Sequence, residues 1–496
     1  MSIVQKRTGI RPPVEDVRIA LNDERTKEMM RTGETRGVFY VESPAMIGLL
    51  KKLQCDTFQM LTAASSVIRP GVSSSGMMKA FIERHHDHSL IEYLHPKMEE
   101  LLWETYGIMI YQEDVLNVVH DLAGLSYGQA DLFRRAMSGK LRSKESMQSQ
   151  KDAFVNGCIK NKITLDVAEE LWRQISSFSG YSFCKAHSAS YAVLSFQEAW
   201  LKVHYPTEFL CSVLNNYGGF YRHQIYINEA KSLDIEVLLP EINRSDFQHT
   251  VEQDHVIRLG LEGIKEVSLI SKQSLIENRE KGGRYISIED FVYRSGVTPE
   301  DGRILIAIGA CDCLGLKREE MQIIFASLVS GRSKAFSKRK SKKANEQFQG
   351  SLELEVAKVD YDLHHLSEST PYYDFLLEKK YLSYSVTNHP CDFLQRDETA
   401  ITSTDLPQFI NKTIKVQGYI AATKNVRTKK GENMLMLNLA DKDGMIDVVV
   451  WASEFKRFYS TIASSEALQI TGMVKESFGA VSLIAEKIER EEYYSF

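Results

Sequence analysis

The C-terminal part of the chain carries the pattern that constrains its fold most. Five segments between residues 413 and 489 alternate apolar and polar side chains: TIKVQGYI, NMLMLNLAD, MIDVVVW, ALQITGMV and AVSLIAEKI. This alternation is typical of strands with one buried face. The turn pairs Lys430-Gly431 and Asp443-Gly444 lie between strands, and SEFKRFYSTIA predicts one short helix between the third and the fourth. A small β-barrel is therefore expected.

Five strands with a helix between the third and the fourth match the OB-fold, a barrel that commonly binds single-stranded nucleic acid. We place this domain at residues 412–496. The preceding residues 331–411 begin with GRSKAFSKRKSKK, which carries seven basic residues and no acidic one. That composition predicts a solvated basic linker, followed by a polar connector.

The first part of the chain is predicted to be helical. Stretches such as EELLWETYGIMIYQEDVLNVVHDLAGL repeat apolar residues at helical spacing, which indicates a helical domain over residues 21–215. Residues 216–330 contain short segments punctuated by glycine, a pattern typical of compact helix-turn-helix units. The expected fold class is a multidomain, mainly α protein with a C-terminal five-stranded OB-fold β-barrel.

Composition limits how the chain could bind nucleic acid. A formal net charge of -5 argues against coating nucleic acid by bulk charge, so such contacts must come from local basic patches. The seven cysteines include no CxxC pair, which favours a reduced protein. The sequence shows neither a signal peptide nor an apolar run of membrane-spanning length. We therefore expect a cytoplasmic protein without membrane contact.

Three polar clusters are candidate binding sites. In GYSFCKAHSASYAVLSFQ, Lys185 and His187 precede a predicted helix, whose free amides and dipole favour a triphosphate. The alternative is that Ser188 caps the helix and His187 is a buried, hydrogen-bonded histidine. The residues alone leave both interpretations open.

The second cluster, DLFRRAMSGKLRSK, contains Arg134, Arg135 and Lys140 and could neutralise several phosphates, although a solvated helical face is the usual explanation of such runs. The third, SSVIRPGVSSSGMM, places Arg69 before a turn of small residues that would let backbone approach a ligand closely.

Metal-dependent phosphoryl transfer needs clustered carboxylates, typically an Asp-x-Asp pair with a third acid on a neighbouring strand. The pairs Asp441/Asp443 and Asp360/Asp362 fall in a turn and in the connector, where no strand completes a metal cage. We therefore predict no metal site and no catalytic residue in this chain.

Seven segments, followed by the OB-like tail, occur in an order that resembles the alpha subunit of bacterial DNA polymerase III: GETRGVFYVESPAMIGLLKKL, SSVIRPGVSSSGMM, YGIMIYQEDV, DLFRRAMSGK, FSGYSFCKAHSASYAVLSFQ, WLKVHYPTEFL and GACDCLG. The resemblance implies the C-terminal half of a shorter-tailed member. It assigns residues 1–20 to a remnant of the palm-to-fingers connection, 21–215 to the fingers and 216–330 to a tandem helix-hairpin-helix domain. The PHP domain, thumb and palm are expected to be absent, so Mg²⁺ would serve the complete enzyme and not be bound by this chain alone.

The resemblance also implies roles for single residues. It assigns contacts to the incoming dNTP and the template-primer DNA to Arg69, Arg134, Arg135, Lys140, Lys185 and His187, in a pocket supported by the helices around Tyr111, Gln112 and Glu113. Cys184 and Ala186 replace an asparagine and a serine of many relatives. Glu266 and Ser268 replace glycines, which predicts that the amides of that hairpin do not reach a DNA phosphate.

A short segment within residues 331–411 resembles a sliding-clamp peptide, because Gln349 is followed by the spaced leucines Leu352 and Leu354. Such peptides place the glutamine and the apolar side chains into a groove on the clamp. A six-residue pattern also arises by chance. Its place between the helix-hairpin-helix and OB regions, where the family carries its clamp peptide, favours function.

The expected function is therefore nucleotide and template binding as part of a DNA polymerase III alpha subunit in DNA replication. The chain is expected to be inactive alone and to need a separate N-terminal half with the PHP domain and palm. The alternatives are a non-enzymatic DNA- or clamp-binding accessory protein, and a decayed gene fragment that exposes the apolar face meant for the palm.

Overall fold

A computed structural model describes residues 1–69, 76–137, 144–177, 184–216, 219–340, 370–428 and 431–494, without the side chains of residues 136–137, 144–146, 177 and 331–340. Lys140 and the predicted clamp peptide with Gln349, Leu352 and Leu354 lie outside the described residues.

Helices dominate the described chain up to residue 340. The α-helices are α1 Ser2–Thr8, α2 Val17–Asn22, α3 Glu24–Thr32, α4 Pro44–Leu53, α5 Phe58–Val67, α6 Met77–His86, α7 Pro96–Leu102, α8 Gln112–Ala123, α9 Tyr127–Met137, α10 Lys144–Lys160, α11 Leu165–Ser177, α12 Lys185–His204, α13 Pro206–Asn216, α14 His223–Ser232, α15 Leu269–Gly282, α16 Ile288–Arg294, α17 Pro299–Ala307, α18 Arg318–Lys340, α19 Pro371–Tyr381 and α20 Ala452–Ala463.

Local sequence explains several helix boundaries. Helix α4 begins after Ser43, whose hydroxyl accepts a hydrogen bond from the Met46 N–H, and its first residue is Pro44. Helix α3 begins in the same way after Asp23 and ends at Gly33, which adopts a left-handed conformation with φ 69°. Capping therefore sets both ends of these short helices, while packing stabilises them.

The strands form two sheets. A three-stranded sheet has the order β1-β3-β2, with β1 Glu236–Leu238, β2 Thr250–Gln253 and β3 Val256–Arg258. A closed barrel has the order β4-β5-β6-β8-β7, with β4 Thr413–Arg427, β5 Asn433–Ala440, β6 Met445–Val450, β7 Ala467–Ser477 and β8 Ala480–Glu491. Helix α20 lies between the third and fourth barrel strands. The predicted fold class, mainly α with a C-terminal five-stranded barrel, is confirmed.

Three apolar clusters form the described core. Residues 98–175 of α7 to α11 make a cluster of their own. A larger cluster joins the remaining helices before residue 232 to the region of α15 to α18 and to residues 382–394. The barrel interior forms the third. The helical region before residue 216 thus consists of two packed lobes.

The region assigned to linker and connector contains ordered elements. Helix α18 runs to Lys340 and so includes the first ten residues of the predicted basic linker. Helix α19 is anchored by Glu378, whose carboxylate is 1% exposed and accepts hydrogen bonds from the backbone N–H groups of Val386 and Thr387. The boundaries of the predicted domains stay predictions.

All seven cysteines have free thiols. Within the described parts of the chain, every helix is too short or too polar to cross a membrane.

Candidate functional site

The first turn of α12 is held by a carboxylate. The backbone N–H of Lys185 donates to Glu113 Oε2 at 3.0 Å, and the Cys184 thiol lies 3.4 Å from Glu113 Oε1. A helix N-terminus attracts anions because its first amides lack intrahelical partners. Glu113, near the start of α8, thus provides a hydrogen-bond acceptor for a backbone amide at the N-terminus of α12.

The Lys185 ammonium is held separately. Its Nζ lies 2.5 Å from Glu104 Oε2 and 5.2 Å from the centroid of the Tyr111 ring. Lys185 and Glu104 keep side-chain exposures of 42% and 37%, so solvent and ligands can reach the pair. A cation over an aromatic face is attracted by the ring quadrupole. Lys185 is therefore placed by one acid and one ring, both in the segment that leads into α8.

Asp114 fixes that segment from inside. Its Oδ2 accepts hydrogen bonds from the backbone N–H groups of Ile110 and Tyr111, each at 2.9 Å. Burial raises the pKa of the Asp114 carboxyl to about 7, although these two hydrogen bonds act in the opposite direction. The position of Tyr111 beneath Lys185 therefore depends on a buried acid.

His187 and Arg69 are connected through two tyrosines. The His187 ring lies 4.1 Å from the Tyr191 ring, and Tyr191 meets Tyr40 at 4.9 Å. Arg69 Nη2 donates to Tyr40 Oη at 3.1 Å. Arg69, which follows α5, and His187, in the first turn of α12, thus border one continuous surface.

Two buried acids support the segment that carries Tyr40. Glu42 Oε2 accepts from the Gly37 N–H at 2.9 Å and from the Tyr226 hydroxyl at 2.8 Å. Lys202 Nζ, whose side chain is 1% exposed, donates to Glu229 Oε1 at 2.6 Å and to the Arg36 carbonyl at 3.0 Å. Residues 36–42 are therefore tied to α12 and α14 from within the core.

A buried hydroxyl pair joins α5 to α12. Ser66 Oγ and Ser188 Oγ lie 2.8 Å apart, and both residues are 0% exposed. Ser66 precedes Arg69 by three residues, and Ser188 follows Lys185 by three. The interpretation of Ser188 as a helix cap is wrong, because the cap position belongs to Cys184 and Ser188 lies inside the helix. His187 is also only half-buried.

Arg134 and Arg135 share one acid on α9. Their Nε atoms donate to the two carboxylate oxygens of Asp131, each at 2.7 Å. These two hydrogen bonds hold the pKa of the Asp131 carboxyl below its usual value. Arg134 also lies 3.4 Å from Gln112 Oε1, which connects α9 to the start of α8 beside Glu113.

The predicted site residues thus lie in two connected groups. The first contains Lys185 and His187 in the first turn of α12 together with Arg69 after α5, and the second contains Arg134 and Arg135 on α9. Helix α8 joins them through Gln112 and Glu113. Sequence reasoning did not identify Glu104 and Asp131, whose carboxylates hold these cations, because single acids in polar stretches carry no distinguishing pattern.

The described residues contain no group of three or more His, Cys, Asp or Glu side chains that could hold a metal ion. Asp441, from one of the two Asp-x-Asp pairs, accepts hydrogen bonds from Ser403 and from the backbone N–H groups of Asp443 and Gly444. Both its oxygens are used to organise a turn.

The hairpin that contains Glu266 and Ser268 forms hydrogen bonds with other parts of the protein. The Lys265 N–H donates to the Tyr381 carbonyl at 2.7 Å, and Ser268 donates to the carboxylate of Asp301 through its N–H and its hydroxyl. Glu266 keeps the left-handed backbone, φ 61°, that glycine would adopt freely. This geometry favours the prediction that these amides do not bind a DNA phosphate.

Comparison with known protein families assigns three parts of the chain. Residues 1–162 match the bacterial DNA polymerase III alpha subunit finger domain, residues 234–321 match a helix-hairpin-helix motif, and residues 414–490 match an OB-fold nucleic acid binding domain. The last match covers almost the whole barrel.

Bacterial DNA polymerase III alpha subunits are similar to this chain over nearly its whole length. The chain is 30% identical over 482 residues to DNA polymerase III subunit alpha of Aquifex aeolicus, and the match covers 96% of this chain and 39% of the relative. It is 31% identical to the subunits of Vibrio cholerae and Staphylococcus aureus over 95% of this chain, which is 41% and 42% of those proteins. The chain spans about two fifths of the length of these curated relatives. The comparisons thus support a part of a bacterial DNA polymerase III alpha subunit that carries the finger, helix-hairpin-helix and OB-fold regions.

Proposed function

We propose that this chain supplies the nucleotide- and template-binding part of a DNA polymerase III alpha subunit, which acts in DNA replication in the cytoplasm. Lys185 and His187 would contact the triphosphate of the incoming dNTP, with Arg69 beside them. Arg134, Arg135 and Lys140 would contact nucleotide and template phosphates. The finger-domain match and the relatives support this assignment.

One observation carries the proposal. A chain of contacts from Arg69 through Tyr40 and Tyr191 reaches His187, which is two residues from Lys185 on α12. Cations gathered beside a helix N-terminus are suited to a polyphosphate, whose oxygens accept several charge-assisted hydrogen bonds at once.

The acids that pair with these cations could give way to a phosphate group. An ion pair as exposed as Lys185 with Glu104 contributes about 1 kcal/mol or less to stability. A triphosphate carries several charges, so it can replace Glu104 at Lys185 at small cost. Asp131 stands in the same relation to Arg134 and Arg135, whose Nε atoms each donate to one of its oxygens at 2.7 Å.

Bond formation would require a second part of the enzyme. Phosphoryl transfer to a primer hydroxyl depends on carboxylate-held metal ions that stabilise the attacking and leaving oxygens. We propose that an N-terminal half with the PHP domain and palm holds Mg²⁺. This chain would bind and orient the nucleotide and the template-primer DNA. Its helix-hairpin-helix and OB-fold regions would contribute further contacts to the DNA.

Primer extension tests the proposal. The chain alone, and the chain mixed with a PHP and palm fragment of a related alpha subunit, are incubated with magnesium, four dNTPs and a primed template. Extension is expected in the mixture and is expected to fall at least about ten-fold with Lys185→Ala, a loss of about 1.4 kcal/mol in transition-state stabilisation. Lys160→Ala, an exposed lysine at the end of α10, is the control that leaves extension unchanged.

The other outcomes separate the alternatives. Extension by the chain alone would show that it holds its own metal site. Tight binding of primed DNA without extension in either reaction, and without binding of dNTP, would favour the accessory protein. A chain that binds neither and lacks a cooperative thermal transition would favour a decayed fragment.

A further inference from the structure

Phe39 presents an aromatic ring to solvent from an otherwise buried segment. Phe39 is 42% exposed, whereas Val38 and Val41 on either side are 0% exposed. Single exposed apolar side chains are common on proteins. Phe39 differs because α12 fixes its backbone on both sides: its N–H donates to Glu198 Oε2 at 2.7 Å, and its carbonyl accepts from Ser195 Oγ at 2.9 Å.

Four rings meet at this position, and we call them the ring platform: Phe39, Tyr40, Tyr191 and His187. Phe39 stacks on Tyr40 at 5.9 Å and meets the edge of Tyr191 at 5.1 Å. Tyr191 contacts Tyr40 at 4.9 Å and His187 at 4.1 Å. Only Phe39 is largely exposed, so the three other rings position it.

The backbone at Tyr40 is strained. Its φ is 72°, a left-handed conformation that a bulky aromatic residue seldom adopts. Glu42 and Lys202 hold the segment from inside, and Arg69 bonds the Tyr40 hydroxyl from outside. Strain of this kind persists where the surrounding structure overrides it, and it concentrates at ligand-binding sites.

One cation contacts the platform directly, and a second begins the helix that carries two of its rings. Arg69 contacts Tyr40, and Lys185 precedes His187 by two residues in the first turn of α12. Aromatic faces beside basic side chains are the combination that binds unpaired nucleotides, because bases stack on rings while phosphates meet cations. Apolar protein partners do not need these cations, so the charges favour a nucleotide.

We propose that the ring platform stacks one nucleobase through the exposed face of Phe39, with the phosphates of the same nucleotide directed to Lys185 or Arg69. The base belongs either to a free nucleoside triphosphate or to an unpaired position of a DNA strand. This inference rests on the proposed function, since it assumes that nucleotides reach the α12 surface.

A fluorescent adenine analogue tests the stacking. It is supplied in one arm as its deoxyribonucleoside triphosphate and in the other as a single base within a short single-stranded oligonucleotide. Stacking on a ring quenches its emission. Phe39→Leu keeps an apolar side chain but removes the ring, whereas Phe39→Tyr retains the ring. Tyr293→Leu is the control, because it removes a ring of similar exposure, 43%, on α16.

Quenching is expected with the wild type, Phe39→Tyr and Tyr293→Leu. Phe39→Leu should lose it and bind the analogue about five-fold or more weakly, the lower range for one base on one ring. Its affinity for inorganic tripolyphosphate, which has no base, should be unchanged. The arm that shows quenching identifies the source of the base, and an unchanged thermal midpoint confirms that Phe39→Leu folds.

Opposite results overturn the inference. Equal quenching and affinity for wild type and Phe39→Leu would place the base elsewhere and leave the proposed function intact. Tripolyphosphate binding without quenching in either arm would have the same meaning. Phe39-dependent quenching by the oligonucleotide with no tripolyphosphate binding would keep the platform and refute the triphosphate role of Lys185. A wild-type chain that binds no probe would refute both.

Discussion

The Glu113 carboxylate accepts a hydrogen bond from the backbone N–H of Lys185 at 3.0 Å, so an acid on α8 occupies the amide end of α12. Glu104 binds the ammonium of the same lysine. Both the main chain and the side chain of Lys185 are thus matched by carboxylates. Any phosphate that binds here must compete with them.

Glu104→Gln should raise the affinity for a nucleoside triphosphate several-fold, because the amide no longer neutralises the Lys185 ammonium. Folding should change by less than about 1 kcal/mol, since the pair is exposed. Titration with a dNTP at low salt, monitored by calorimetry, measures the effect. Glu99→Gln, in the neighbouring helix α7, is the matched control. Equal affinities for the two variants would mean that Glu104 does not compete with the phosphate.

Lys202→Met should destabilise the chain strongly, by about 3–5 kcal/mol, because it leaves Glu229 charged and buried with one cation fewer. The Lys202 and Glu229 side chains are 1% and 5% exposed. Urea denaturation of the wild type and the variant gives the difference. The exposed pair of Lys281 and Glu277 provides the comparison: Lys281→Met should cost less than about 1 kcal/mol. Similar losses of unfolding free energy for both variants would contradict a special structural role of the buried Lys202–Glu229 pair.

Asp114 predicts a pH dependence of stability. Burial raises the pKa of its carboxyl from 3.8 to about 7, so the folded chain binds this proton more tightly than the unfolded chain does. The contribution of Asp114 to the free energy of unfolding therefore falls as pH rises from 3.8 to about 7 and then levels off.

Asp114→Asn should remove that contribution, because the amide cannot ionise while its oxygen can still accept from Ile110 and Tyr111. The stability of the variant relative to wild type should increase with pH across this interval and stay constant above it. Urea denaturation at several pH values tests this. The exposed Asp121→Asn should leave the profile unchanged, and a parallel Asp114→Asn profile would exclude a titrating Asp114.

The clamp peptide gives a prediction outside the described residues. If Leu352 and Leu354 enter a groove on a sliding clamp, replacing both with alanine should weaken clamp binding about ten-fold or more. Gln349→Ala should weaken it as well, whereas Ser351→Ala should not. Fluorescence polarisation with a purified bacterial sliding clamp measures each affinity. Unchanged binding in the double leucine variant would show that the pattern arose by chance.

Local patterns predicted the barrel well. The segment MIDVVVW contains β6 Met445–Val450, and SEFKRFYSTIA differs from α20 by one residue at its start. Strand β4 continues to Arg427, beyond TIKVQGYI, because a register shift between Ile420 and Ala422 lets it pair with β5 along its second half. Alternation does not record such an irregularity, so the sequence pattern ended the strand too early.

The site was predictable only for its cations. Lys185 and His187 were predicted to precede a long helix, and the structure places them in its first turn, which is itself an anion-binding arrangement. The acids that hold them could not be identified: Glu104 is 81 residues from Lys185, and no local rule relates the two. The two lobes of the helical region were also missed, because helical spacing marks a buried face without naming the helix that covers it.

The contact between Ser66 and Ser188 has a consequence for ligand selection. It fixes two helices against each other three residues from Arg69 and three from Lys185. The contact thus relates the two chain segments that carry these cations. A ligand whose anionic groups match the separation of these segments binds with a smaller entropic cost of ordering the protein. We therefore expect the hydroxyl pair to favour anionic ligands whose length matches the separation of the two chain segments that it joins.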